Sequence, residues 1–242
     1  MRCRIHRLIG LGALLLFSAR AFAAMEETLR YELVWGLIRV GTAEVTTRLV
    51  EEEGRPLLRF RFTAKSNRWV EKIYPVEDCI DSFIEPETGL PVKLVKKTSE
   101  GWFRCDDELR FDRERGVAAW VDHVRGTNTE YAVAPGAHDF FSLMRGMREL
   151  DLRPGREDRA TIAADDRTHN LVIRVEREEH LALRGARVRA YRLRITSEQE
   201  GLFVRKVPGA VWITAEPPHT VAQMQVRVPV GSVRAVLLDE SK

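Results

Sequence analysis

From Leu29 onward the chain alternates apolar and polar residues with a period of two, in short segments separated by Gly, Pro and acidic turns. That period marks strands with one buried face and one wet face, because successive side chains point to opposite sides of a pleated sheet. Leu29, Tyr31 and Leu33 lead into Trp35-Gly36; Ile38, Val40, Ala43, Val45 and Leu49 follow, up to a turn at Glu51-Glu52-Glu53-Gly54. The cleanest example is Leu58, Phe60, Phe62 and Ala64 alternating with Arg59, Arg61 and Thr63. Further strands are predicted over 74–85, 90–97, 102–111, 117–124 and 127–133, and then over 158–164, 169–178, 187–197, 204–214, 221–228 and 231–238. The connections are too short for parallel crossovers, which need a dozen or more residues, so the strands are antiparallel.

Between the two runs of strands, His138–Leu150 is the one stretch that reads as a helix. Phe140, Leu143, Met144 and Met147 stand at i, i+3, i+4 and i+7 and line one face, while Arg145, Arg148 and Glu149 fall off it. Asp139 is the expected N-cap, its carboxylate accepting from the N–H groups that the first turn leaves unpaired. Pro154-Gly155 marks a turn beyond the end, so the helix lies near 139–149. About three turns span roughly 16 Å at 1.5 Å per residue. So short a helix covers a sheet of a dozen strands only if the sheet bends round it. The expected fold is therefore all-β with one short helix: a strongly curved antiparallel sheet, or incomplete barrel, wrapped on the helix. A β-sandwich is the alternative.

The first 23 residues do not share this pattern. Arg2, Arg4 and Arg7 precede an apolar run from Leu8 to Phe17, and Ala21-Phe22-Ala23 sets small residues around a bulky one. That is the layout of a secretory signal peptide, cleaved after Ala23, which leaves residues 24–242 as a single β-rich periplasmic domain. About ten apolar residues are too few to span a hydrocarbon core, so no transmembrane segment is expected after cleavage. The apolar run has no Cys behind it to carry a lipid anchor, since Cys3 lies in front. The leader also changes the charge. The chain has 39 Lys plus Arg against 36 Asp plus Glu, but Arg2, Arg4, Arg7 and Arg20 leave with the leader, and 35 against 36 remain. The basic balance that would suggest nucleic acid as a partner disappears with them.

The order of certain residues adds a resemblance. Tyr31-Glu-Leu-Val-Trp-Gly-Leu-Ile-Arg-Val-Gly41 comes first, then Asp139-Phe-Phe-Ser-Leu with Arg148 and Leu152-Arg-Pro-Gly155, then Val211-Trp-Ile with Gly231-Ser-Val. Together they resemble the bacterial envelope family called domain of unknown function 3108, across most of the mature chain. The segment Thr214-Ala-Glu-Pro-Pro-His219 departs from the acidic turn and Leu-Pro pair usual there. The resemblance implies a secreted β-rich protein and supplies no activity.

Candidate chemistry changes the picture little. There is no Gly-x-Ser-x-Gly elbow, and Ser142 lies near the helix start, where a hydroxyl commonly helps to cap. His138-Asp139 could belong to a triad, but with Asp139 capping, His138 falls in the turn before the helix. His123, His169, His180 and His219 lack zinc-ligand spacing, and Asp106-Asp107 and Asp165-Asp166 lack the calcium-loop pattern and read as solvated pairs. No phosphate loop is present, and no cofactor is implied. Cys105 shares parity with Phe103, Leu109 and Phe111, and Cys79 with Pro75, Glu77 and Asp81. Opposite faces, with a strand between them, argue against a disulfide.

The expectation is a non-enzymatic periplasmic protein that binds a lipophilic small molecule or an envelope component. Phe140, Leu143, Met144, Met147, Phe60 and Phe62 would line the site, since flexible thioethers adapt to varied apolar shapes. The alternatives are a hydrolase whose site assembles only in three dimensions and a structural envelope assembly factor. A continuous apolar cavity, a cleft with a His or carboxylate pair, and a flat apolar patch would favour these three in turn.

Overall fold

The computed structural model describes residues 26–197, 209–228 and 231–241. The predicted leader, and residues 204–208 of one predicted strand, lie outside the described residues. Among those described, the first run of strands is β1 (Glu27–Trp35), β2 (Ile38–Glu52), β3 (Arg55–Ser66), β4 (Val76–Ile84), β5 (Pro91–Glu100), β6 (Phe103–Asp112), β7 (Val117–Asp122) and β8 (Thr127–Ala132). Helix α1 (Phe140–Arg148) separates them from β9 (Glu157–Ala164), β10 (Arg167–Leu183), β11 (Ala186–Ser197), β12 (Ala210–Thr214), β13 (Val221–Arg227) and β14 (Ser232–Ser241). The alternation read from the sequence places these strands well; the main difference is β10, which runs on to Leu183 through a bulge near Val175.

All fourteen strands form one antiparallel sheet, in the order β8-β7-β6-β5-β4-β3-β2-β1-β14-β13-β12-β11-β10-β9. There is no second sheet among the described residues, so the curved-sheet expectation holds over the sandwich. The sheet is not closed by a ladder between its end strands β8 and β9. It nevertheless curls until those ends meet. Ala163 of β9 packs with Leu109, Phe111, Ala118 and Val133 from the other end, and the Tyr131 hydroxyl donates to the Asp165 carbonyl at 3.0 Å. His138 fills the seam as one parallel bridge to β9: its N–H donates to Thr161 O (2.9 Å), and its carbonyl accepts from Ala163 N (2.8 Å).

Cross-strand pairing sorts the concave face into rows. Leu49, Leu58 and Ile84 are opposite one another; next come Thr47, Phe60, Ser82, Leu94 and Leu109; then Val45, Phe62, Ile80, Lys96 and Asp107; then Ala43, Ala64, Asp78, Thr98 and Cys105. Large apolar groups give way to smaller and more polar ones along the axis, and α1 lies against the large ones.

Candidate functional site

Helix α1 is gripped from two sides. Leu143, Met144 and Met147 pack into a cluster with Ile162, Leu171, Ile173, Val175, Leu193 and others on β9–β13. Phe141 packs instead with Leu58, Phe60 and Ile84 on β3 and β4, and its ring lies 6.1 Å from that of Phe62. Phe140 touches both clusters and remains half-buried. The periodicity picked out Leu143, Met144 and Met147 and missed Phe141, because a helix held between two walls buries more than one stripe. Of the six residues expected to line a site, Leu143, Met144, Met147 and Phe60 are buried core, whereas Phe140 and Phe62 are only partly covered.

The helix start is pinned by polar groups. Asp139, fully buried, caps it by accepting from Ser142 N (2.8 Å), and the Ser142 hydroxyl in turn accepts from Asp139 N (3.0 Å). This is a reciprocal capping box. The Ser82 hydroxyl of β4 donates to the other carboxylate oxygen at 2.5 Å, tying the cap to the wall. Burial raises the Asp139 pKa, and the hydrogen bonds from Ser142 and Ser82 oppose that shift. Arg113 closes the seam by donating to the carbonyls of Pro91 (3.0 Å), Pro135 (3.2 Å) and Ala137 (2.8 Å) while stacked on Phe111. The other end of the helix is tied by Arg148, which forms a forked pair with Glu27 (2.6 and 2.9 Å) and donates to His219 O.

Ser142, His138 and Asp139 are therefore adjacent, with His138 Nδ1 3.1 Å from the Ser142 hydroxyl. Their wiring is that of a cap rather than a triad. The carboxylate accepts from Ser142 and Ser82, Ser142 is 1 % exposed, and burial together with Arg113 lowers the His138 pKa. A nucleophile needs a route to substrate and a carboxylate that orients its imidazole. This group of residues has neither.

Further along the concave face lies a charged group. Lys96 pairs with its cross-strand neighbour Asp107 of β6 (2.8 Å) and reaches Asp165 (2.5 Å) across the seam. Burial pulls its ammonium down, but the two carboxylates more than offset this and raise its pKa. The reading of both acidic pairs as solvated fails for one member of each. Asp107 is buried and Asp165 is bonded to Lys96, whereas Asp106 and Asp166, equally half-buried, pair with Lys97 and Arg167 on the wet side. The parity of Asp107 with Leu109 and Cys105 was the available signal.

Beyond this group, β4–β6 bear a groove of about 290 Å³ whose lining includes Asp78, Cys79, Lys97, Thr98, Ser99 and Cys105. Both cysteines are free: Cys79 pairs with Lys97 of β5, whose other side faces β6, so the expected intervening strand is there. Burial, helped by Asp107, pushes the Cys105 thiol up to about 12, which makes it a poor nucleophile. Burial also raises Asp78 to about 6 despite the hydrogen bond it accepts from Ser99 N at 3.0 Å. Among the described residues no three His, Cys, Asp or Glu side chains converge as metal ligands would, and no helix is long and apolar enough to cross a membrane.

The profile of the family described as a protein of unknown function, DUF3108, matches residues 30–238. The chain belongs to this family. No curated protein matches this DUF3108 chain. Among solved structures it is similar to a crystal structure described as a β-barrel-like protein of domain of unknown function DUF1849 from Brucella abortus. The likeness covers 90% of this chain and 97% of that one, with a TM-score of 0.57 at 10% identity. At that identity the likeness concerns the fold alone.

Proposed function

We propose that this DUF3108 protein is exported to the periplasm and binds a lipophilic molecule on the concave face of its curled sheet, without catalysing a reaction. The observation that carries the reading is the row Val45, Phe62 and Ile80, with Phe140 beside it. These large apolar side chains face inward yet are only half-buried, as is Leu94 of the neighbouring row, whereas Phe60 and Leu109 of that row are buried. Apolar surface left partly uncovered inside a curved wall is what a lipophilic ligand would bury, at roughly 25 cal/mol per Å². The leader read in residues 1–23 supports export.

The test is mass spectrometry of organic extracts of the natively purified protein, together with titration of a lipophilic fluorescent probe. The expected result is a co-purifying lipid-like molecule and probe binding that shifts several-fold in Phe140→Ala and Phe62→Ala while the fold persists. A folded wild type that retains nothing and binds no probe would end this reading.

A further inference from the structure

A meander returns alternate turns to the same end of a sheet. The β1–β2, β3–β4, β5–β6 and β7–β8 turns therefore share one end. These four tips carry nearly all the exposed large apolar side chains among the described residues: Trp35, Leu37, Ile38, Trp69, Ile73, Tyr74, Trp102, Phe103 and Val124, with Leu238 of β14 the exception. Three are almost wholly in water: Trp102 is 100 % exposed, Leu37 95 % and Ile73 80 %. Neighbouring tips touch. Asn67 donates to Arg39 O at 2.6 Å, Gly101 N donates to Pro75 O at 2.8 Å, and a Cβ at Gly101 would sit 2.6 Å from the Tyr74 ring.

The charge on the tips is lopsided. Arg39, Arg68, Lys72, Arg104 and Arg125 stand among the apolar residues of segments 35–39, 67–75, 101–104 and 123–126, with Glu71 the one acidic side chain there. Arg39 and Arg104 stand at strand ends, and so do three carboxylates beside the tips: Glu100 adjoins the third tip, Glu32 faces Arg39 at 3.1 Å, and Asp122 faces Arg125 at 3.7 Å, so the cations outside these pairs are Arg68, Lys72 and Arg104.

We infer that this end of the molecule docks on a bilayer surface bearing anionic headgroups, with the apolar tips inserted at the interface. Tryptophan and tyrosine, with an apolar body and a polar edge, favour the headgroup level, and interspersed Arg and Lys are drawn to anionic lipid. Separate prongs suit a fluid surface, which closes round each one; a protein partner would need a matching contour with a desolvated centre. The inference concerns the outside of the tips and stands whether or not the concave face holds a ligand.

The experiment uses sedimentation with vesicles of pure phosphatidylcholine and vesicles containing phosphatidylglycerol, combined with quenching of tryptophan emission by brominated acyl chains. The full chain should bind the anionic vesicles, lose affinity in high salt, and be quenched. Replacing Trp35, Trp69 and Trp102 by Phe should abolish quenching, because the remaining Trp120 and Trp212 are not on the tips; this separates tip insertion from adsorption through the N-terminal apolar run. The triple variant Leu37→Ser, Ile73→Ser, Trp102→Ser should keep its circular dichroism and bind at least tenfold more weakly. Three results would overturn the inference: wild type that is not quenched, a serine variant that binds as well as wild type, or a soluble dimer that covers the tips and is lost in that variant.

Discussion

The two ends of the curled sheet are built from the same strands and could hardly differ more. At one end α1 lies between the walls, its cap buried on β4 and its last turn bonded to Glu27 and His219, and the turns there are polar: Glu51-Glu52-Glu53-Gly54, Glu85–Leu90 and Arg113–Gly116. At the other end the core thins to small and polar side chains, while the turns carry tryptophan and leucine into water. In the plugged end apolar area is spent on stability. In the open end the same kind of area is left outside, where it adds nothing to the folded state. Hydrophobic content alone therefore says little about role; what separates the ends is whether a second element covers it.

That contrast is open to mutation, and the largest effect should come from the plug. Met147, 1 % exposed, touches only core, so Met147→Ala should cost about 3 kcal/mol in guanidinium melts; a loss under about 1 kcal/mol would mean that the helix is not held as described. At the open end Gly41 is a backbone requirement, since a Cβ there would lie 2.2 Å from Lys65 O of β3. Gly41→Ala should therefore cost at least about 2 kcal/mol although it adds a single methyl group. Asp139→Ala removes the cap and strands the Ser82 hydroxyl, for about 2 kcal/mol, and Asp139→Asn should recover part of this by restoring an acceptor.

Asp78 should behave in the opposite sense. Its carboxyl is raised to about 6, so the folded state holds a proton that the unfolded chain has already released, and stability should fall as pH rises from about 4 to 6. Asp78→Asn should then stabilise by about 1 kcal/mol at pH 7, discounted because the group is partly open to water, and the gain should vanish below pH 4. Melts of both proteins at pH 4 and 7 would show it, and an equal difference at the two values would refute it. The smallest effect is expected at Trp102, where Trp102→Ser should change stability by less than about 0.5 kcal/mol.

The sequence made the strands legible because one-sided burial forces a period of two, and it made the helix legible because Asp139 and the i, i+3, i+4 spacing agree. Phe141 escaped because the helical template assumes one partner surface, and this helix has two. Asp107 escaped because an adjacent acidic pair resembles a turn, although alternation with Leu109 already set it inside beside Lys96. The aromatic tips escaped for a different reason. Trp35, Trp102 and Phe103 continue the apolar runs of their strands, and no local pattern distinguishes the last buried residue of a hairpin from the first exposed one.

The strand order carries a kinetic consequence. Every neighbouring pair in the sheet is consecutive in the chain except β1 and β14, which join the two ends of the described sequence through pairs such as Thr28 with Ser241. Two runs of hairpins can therefore zip up from local contacts with little loop-closure cost, and a single long-range ladder must wait for both. Destabilising changes in that ladder should slow refolding if its formation is the barrier, whereas equal changes in the outlying hairpins should mainly quicken unfolding. A circular permutant that joins Ser241 to Thr28 through a short linker would turn the slowest contact into a local one, and its folding limb should rise accordingly.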